Sequence, residues 1–328
     1  MAEALQARAD FDDDRPFTPR ALPTRADRAF RLVSTAAGMV SLAIVLLTLV
    51  FLVDKSRPAF HSSGIVGFFT RSSWLTTTGK FGVLGFAENT VLISLVALCV
   101  GAPVSLAMAI FINEYAPSRV RQVITSAIDL LAAMPSLLFG IWGFIALQGP
   151  MARVATWFNH HLSVLPIFRV PSSQAGSTLT GSTFQAGIVV GIMIIPIVTS
   201  VSRDVMSQVP REQCEGALAL GGTRWGMVRD VILPFGRSGI VGGVLLGLGR
   251  ALGETIAILF IVSQISRVNT HILTNGSGSI ASWIALRAGG TNPLERSGLI
   301  AAGLTLFLIT FFVNIIARFI VTRSERLA

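Results

Sequence analysis

The chain has 328 residues, of which 52% are hydrophobic and 13% are charged, and its mean hydropathy is +0.69. Soluble domains carry about 25% charged residues, so half of that fraction argues against an ordinary soluble fold and indicates a membrane protein. The net charge is +9, and the arginines that dominate it lie in short segments between apolar runs, so membrane topology explains them better than nucleic-acid binding.

The first 31 residues differ from the rest of the chain. They combine an acidic run at 10–14 with three prolines and six arginines, which predicts a disordered cytoplasmic tail over residues 1–31. Residues 32–328 form one predicted domain with six apolar segments, each long enough for a membrane-spanning helix of about 20 residues. These segments are 32–53, 89–112, 122–147, 184–202, 239–265 and 299–321. We therefore predict an all-α polytopic membrane protein with six transmembrane helices, in which Pro103, Pro135 and Pro196 are kinks within continuous spans.

The loops between the spans differ in their basic residues. The side with both termini and the loops 113–121 and 203–238 carries 16 lysines and arginines, counting Arg318. The opposite side, with 54–88, 148–183 and 266–298, carries 9 in a longer total stretch. Because the richer side is expected to be cytoplasmic, both termini and segment 203–238 are predicted to lie inside.

A polar stretch within segment 203–238, EGALALGGTRWGMVRDVILP, separates two apolar segments. Gly221 and Gly222 are expected to end a helix, since glycine adopts the left-handed conformation that helix ends require. Thr223 is then placed to cap a second short helix, which we expect to stop at Pro234. The local prediction is a helix, a glycine turn and a second helix.

The spacing of this stretch resembles the EAA loop of ABC importer permeases, the surface on which a partner ATPase docks. Gly216 stands where that family usually has a second alanine, and Val231 where it usually has isoleucine; both changes preserve size and polarity. The matching positions are Glu215, Gly216, Ala217, Gly221, Val231, Leu233 and Pro234. The alternative reading is an ordinary amphipathic loop with a glycine hinge.

The fifth predicted span contains two ionisable residues. Arg250 lies 11 residues beyond Gly239, about 16 Å along a helix and near the bilayer centre, and Glu254 is its i, i+4 neighbour. One helical face, about 80° wide, holds Gly239, Gly243, Gly247, Arg250, Glu254 and Ala257. Either another helix packs closely on the glycines, or this face lines a narrow path whose cation is Arg250. A purely structural pair between Arg250 and Glu254 is also open.

Asp129 is a second ionisable residue, in the third predicted span, and is either a partner for Arg250 or a group near the interface. The motif DLLAAMPSLLFGIWG at 129–143 and the motif RALGE at 250–254, together with the polar stretch, are similar to PstC-type permeases of phosphate-specific ABC importers. The resemblance covers residues from about Arg31 to Arg326. The first family motif usually opens with glutamate, so Asp129 keeps the charge on a shorter side chain.

This resemblance implies a type I ABC importer permease fold and import of inorganic phosphate across the inner membrane. It also implies a PstA-type partner permease, two PstB-type ATPase subunits and an external phosphate-binding protein. In that family, the arginine and glutamate that match Arg250 and Glu254 are implicated in translocation. No cofactor and no metal site is predicted, and the chain has no Gly-x4-Gly-Lys-Ser/Thr loop, so ATP hydrolysis is expected on another subunit.

The chemistry of these residues is compatible with phosphate. The planar guanidinium of arginine binds phosphate oxygens bidentately, and Glu254 is a possible acceptor for the proton that phosphate carries near neutral pH. Sulfate has no such proton and would meet only repulsion at that carboxylate. The alternatives are a permease for sulfate or molybdate, a gradient-driven carrier and a membrane-embedded enzyme, although the sequence shows no nucleophile and base constellation.

Overall fold

The structure is a computed structural model that describes residues 25–171, 179–276, 278–289 and 292–325. The described residues divide into two compact units, one ending at Phe51 and the other beginning at Leu52. Within the described residues, six helices are long and apolar enough to cross a membrane, as predicted. They are Arg25–Ser63, Leu84–Tyr115, Ser136–Leu162, Thr183–Met206, Arg224–Leu252 and Pro293–Phe319.

The first unit contains the beginning of helix α1, Arg25–Ser63. Residues 25–31 are helical, so the last seven residues of the predicted tail belong to this helix, and residues 1–24 lie outside the described residues. The apolar side chains of α1 in this unit, such as Leu46 and Leu47, are exposed, as suits a helix whose surroundings are apolar.

In the described part of the second unit, the named secondary structure is helical except for one short hairpin. Its elements after α1 are α2 (Ile65–Thr70), β1 (Trp74–Leu75), β2 (Lys80–Phe81), α3 (Leu84–Ile110), α4 (Ser118–Ala133), α5 (Ser136–Leu162), α6 (Thr183–Met206), α7 (Arg211–Ala219), α8 (Arg224–Met227), α9 (Leu233–Leu252), α10 (Ile256–Ile261), α11 (Ile280–Arg287) and α12 (Pro293–Glu325). The antiparallel strands β1 and β2 pair Trp74 with Phe81. One π-helical turn, Phe111–Tyr115, extends α3, and another, Val228–Ile232, joins α8 to α9.

The core of the second unit forms where α3, α6 and α9 meet α5 and α10. Its buried cluster contains Ile93 and Ala97 of α3, Val189 and Ile194 of α6, Phe139, Ala251 and Ile258. Small residues allow this close packing, because a Cβ added at Gly101 would lie 2.7 Å from the carbonyl oxygen of Gly191. The backbones of α3 and α6 therefore touch, the arrangement that small residues favour between membrane helices.

The third predicted span, 122–147, is wrong as a single helix. Helix α4 ends at Ala133, and α5 begins at Ser136 after Met134 and Pro135, both of which are extended. The residue before a proline is driven out of the helical conformation, so Met134 breaks the chain direction here. Asp129 consequently lies on the separate helix α4, and the membrane-length helix begins at Ser136.

The fifth predicted span, 239–265, is wrong at both ends. The helix runs without interruption from Arg224 to Leu252, so the predicted stop at Pro234 does not occur. Proline lacks the N–H that would bind the carbonyl four residues earlier, and it is accommodated here in the first turn of α9, directly after the π-helical turn. At the other end the helix stops before Gly253, and the short helix α10 starts only at Ile256.

Candidate functional site

Arg250 lies in the last turn of α9, two residues before the helix ends, and its side chain is exposed. The sequence predicted that Arg250 lies in the middle of a span that continues to residue 265. The helix instead ends at Leu252, so Arg250 lies near its end. A guanidinium at a helix C-terminus is stabilised by the partial negative charge of the last carbonyl groups. Because the helix ends at Leu252, the exposed guanidinium of Arg250 lies at the C-terminal end of α9.

Glu254 does not form the structural ion pair with Arg250 that the sequence left open. The two residues are not on one helix, and no ion pair joins them among the described residues. The buried Glu254 side chain instead accepts a hydrogen bond from the Ala257 backbone N–H, at 3.2 Å between Oε1 and N. The Glu254 carbonyl oxygen accepts from the Ser279 hydroxyl at 3.4 Å. Glu254 thus caps α10 and connects it to the segment before α11.

Arg250 and Asp129 line the same cavity, which has a volume of about 220 Å³. Three elements meet there: α4 contributes Asp129, α6 contributes Ser200, and α9 contributes Arg250. The rest of the lining is apolar and consists of Ile128, Ala132, Met193, Pro196 and Ile197. The sequence left open whether Asp129 faces Arg250, and it gave no reason to select Ser200.

The glycine stripe of α9 packs against α6. A Cβ added at Gly243 would lie 3.1 Å from Val201 Cβ, and one at Gly247 would lie 2.7 Å from Val198 Cγ2. Close helix packing, the first of the two explanations for this face, is therefore confirmed for Gly243 and Gly247. The same packing fixes α9 next to the α6 residues that line the cavity.

The polar stretch has the predicted local structure around its glycines. Helix α7 ends at Ala219, Gly221 has a φ of +86°, and the Thr223 hydroxyl accepts a hydrogen bond from the Gly226 N–H at 3.1 Å. The left-handed φ explains the glycine at 221, since a side chain resists this conformation. The sequence prediction of helix, glycine turn and capped helix is confirmed up to Ile232, beyond which the second helix continues into α9.

The polar stretch has an inner and an outer face. Its inner face packs on a buried cluster formed by Met206, Val209, Met227, Val228 and Ile232, and the motif residues Ala217, Val231 and Leu233 contact this cluster. On the outer face, Glu215, Gly216 and Pro234 are exposed, and so are the large apolar residues Leu218 at 41%, Leu220 at 91% and Trp225 at 57%. Sequence reasoning missed Leu220 and Trp225, although large apolar residues in a polar loop are a recognisable signal of a contact surface.

Cys214 of α7 lies between the two faces, half-buried beside the cluster. Burial, reinforced by the negative charges of Glu114 and Glu215, raises the pKa of the Cys214 thiol above its usual range. The thiol is therefore a weak nucleophile at neutral pH.

Among the described residues, six membrane-length helices and a polar stretch anchored on a buried cluster give the layout of a polytopic membrane protein. Residues 101–326 match the family model for binding-protein-dependent transport system inner membrane components, and the chain belongs to this family.

Several curated relatives are similar over most of their length. The phosphate transport system permease protein PstC 2 of Mycobacterium tuberculosis is 41% identical over 299 residues, which cover 90% of this chain and 91% of the relative. The phosphate transport system permease protein PstC of Xylella fastidiosa is 38% identical over 303 residues, 92% of each chain.

Solved structures share the fold at low sequence identity. A bacterial ABC transporter involved in the import of alginate has a TM-score of 0.56 at 17% identity and covers 92% of this chain and 99% of its own. The MetNI methionine ABC transporter has a TM-score of 0.51 at 13% identity, and the match covers 72% of this chain and 92% of the transporter chain. These neighbours are ABC importer permeases, and this chain has the same type I permease fold.

Proposed function

We propose that this chain is the permease subunit that carries inorganic phosphate inward through the inner membrane. The observation that carries the proposal is the similarity, at 41% identity over about 90% of both chains, to a phosphate transport system permease. The exposed side chain of Arg250 at the end of α9 supports the proposal. A guanidinium binds phosphate oxygens bidentately and remains charged at any physiological pH. Arg250 is the proposed translocation residue, with Asp129 beside it, while Glu254 acts by holding α10 in place.

The energy comes from ATP hydrolysis on separate subunits. We expect a PstA-type partner permease, two PstB-type ATPase subunits and an external phosphate-binding protein to complete the importer. The ATPase docks on the polar stretch from Glu215 to Pro234, where exposed Leu220 and Trp225 provide apolar anchors for a groove on the partner. The inner face of the stretch, packed on α3 and α6, transmits the motion of the ATPase to the helices that line the cavity.

Transport of phosphate by the reconstituted importer tests this function. Liposomes that contain both permeases and the ATPase, with ATP inside and the binding protein outside, should accumulate labelled phosphate, and sulfate and molybdate should not be taken up. The control is the same preparation without ATP, with an imposed proton gradient. Uptake driven by the gradient alone would indicate a gradient-driven carrier, and uptake of sulfate in preference to phosphate would identify a permease for a different oxyanion.

The proposed orientation places both termini and Cys214 in the cytoplasm. An impermeant thiol reagent should therefore leave Cys214 unlabelled in sealed cells and label it in inside-out vesicles. Because burial and two carboxylates raise the thiol pKa, this labelling should be slow at neutral pH, and its rise with pH should be displaced to higher pH than that of an ordinary exposed cysteine.

The matched control is Thr78→Cys in a chain that lacks Cys99 and Cys214. Thr78 is exposed in the turn between β1 and β2, on the predicted external side, and should be labelled in sealed cells. Labelling of Cys214 in sealed cells would overturn the orientation, and a labelling rate independent of pH would contradict its described surroundings.

A further inference from the structure

The cavity at the end of α9 is lined by two oppositely charged side chains that do not form an ion pair with each other. Arg250 and Asp129 both line it, yet their charged atoms do not come within the 4.0 Å of an ion pair among the described residues. The cavity volume of about 220 Å³ is sufficient for a small oxyanion. The Ser200 hydroxyl is the third polar group of the lining.

Other charged groups near the cavity are already engaged. Arg203 follows Ser200 by one turn of α6, and its guanidinium donates to the Thr125 hydroxyl and contacts the Asp204 carboxylate, each at 3.1 Å. Glu254, which the sequence placed beside Arg250, is held as the cap of α10. Among the residues that line the cavity, Arg250 is therefore the cation and Asp129 the carboxylate.

We propose that this cavity is a selective holding site for a protonated oxyanion. The Arg250 guanidinium binds its ionised oxygens, the Ser200 hydroxyl donates to a further oxygen, and the Asp129 carboxylate accepts a hydrogen bond from the P–OH group, whose proton stays on the anion. The proposal rests on the proposed phosphate transport and adds which residue of the permease selects the substrate.

The selectivity follows from what an ionised carboxylate can do. It has only acceptor positions, so it is satisfied by an anion that carries a hydroxyl group and repels one that does not. Phosphate retains one or two protons near neutral pH, whereas sulfate retains none. An anion that lacks a hydroxyl offers this carboxylate no donor, so its charge repulsion is not offset by any hydrogen bond and the site discriminates against it. Asn at this position would replace the repulsion with an N–H donor.

Protection of a cysteine reporter from alkylation tests this proposal in the assembled importer. Ala132→Cys lines the cavity and is introduced into a chain that lacks Cys99 and Cys214, while Ala133→Cys, next to it on α4 but outside the lining, is the matched control. Inorganic phosphate should slow the alkylation of Cys at 132 at lower concentrations than sulfate does, and neither anion should protect position 133.

The selectivity is the sulfate concentration needed for protection divided by the phosphate concentration needed for the same protection. Asp129→Asn should lower this ratio by at least a factor of ten, and Asp129→Glu should preserve it. An unchanged ratio in Asp129→Asn, or no protection by either anion at millimolar concentrations, would overturn the proposal. An importer that assembles with Asp129→Glu but not with Asp129→Asn would make Asp129 a structural charge, which also overturns it. If Asp129→Asn leaves the ratio unchanged while Arg250→Gln stops phosphate uptake, the selective site is refuted and the proposed function stands.

Discussion

Arg250→Gln should reduce phosphate uptake at least 100-fold while the importer still assembles. Glutamine keeps hydrogen-bond donors and a similar length but loses the charge, and hydrogen bonds to charged groups contribute about 1.5–3 kcal/mol each. Losing a bidentate pair of such bonds corresponds to two or more factors of ten, at 1.4 kcal/mol for each factor. The exposed side chain of Arg250 forms no ion pair among the described residues, so the fold should tolerate the change.

Arg250→Lys should also be impaired, since an ammonium group lacks the bidentate geometry of the guanidinium. The control is Arg119→Gln, an exposed arginine at the opposite end of α4 from the cavity, which should retain most of the uptake. Uptake is compared at matched membrane abundance. Full activity of Arg250→Gln would remove Arg250 from the transport path.

Gly221→Val should abolish the association of the ATPase while the spans still insert. At φ +86° a residue with a side chain costs roughly 1–2 kcal/mol, and a β-branched residue costs more, so the turn between α7 and α8 must rearrange. Rearrangement displaces Leu220 and Trp225, the exposed apolar residues on either side of the turn. The measurement is recovery of the ATPase in a pull-down with the permease pair.

Gly216→Ala is a closely matched control for this prediction. A Cβ at either position meets nothing within 4 Å, so crowding does not distinguish the two sites. Gly216 lies inside helix α7, where alanine is favoured over glycine by roughly 1 kcal/mol, and this variant should bind the ATPase normally. Normal recovery with Gly221→Val would refute the docking assignment, and loss with both variants would show that the whole surface, rather than the turn, is sensitive.

The features that could be predicted from the sequence depend on local chemistry. The six apolar stretches were found because a span requires about 20 apolar residues, whatever surrounds them. The turn at Gly221 and the cap at Thr223 were found because both depend on backbone groups within three residues. The family motifs located the polar stretch and the end of α9 for the same reason, since each is a short contiguous pattern.

The features that could not be predicted depend on choices between competing local and tertiary contacts. Met134 and Pro135 interrupt a helix, whereas Pro103 and Pro196 lie inside continuous helices, and hydropathy does not distinguish these cases. The pairing of Arg250 with Glu254 assumed an unbroken helix, but the Glu254 side chain binds the backbone of α10 instead. That break left Arg250 without its assumed partner and in the cavity that α4 supplies with Asp129.

We propose that Arg250 faces the transported anion and does not serve to neutralise Glu254. Phosphate uptake by the double variant Arg250→Gln with Glu254→Gln, compared with Arg250→Gln alone, tests it most directly. Glutamine at 254 can still accept the hydrogen bond from Ala257, so the cap of α10 is preserved in the double variant. If Arg250 binds the anion, the double variant should be as inactive as the single one. Recovery of uptake in the double variant would mean that the single change merely left an unpaired buried charge, and it would contradict the claim.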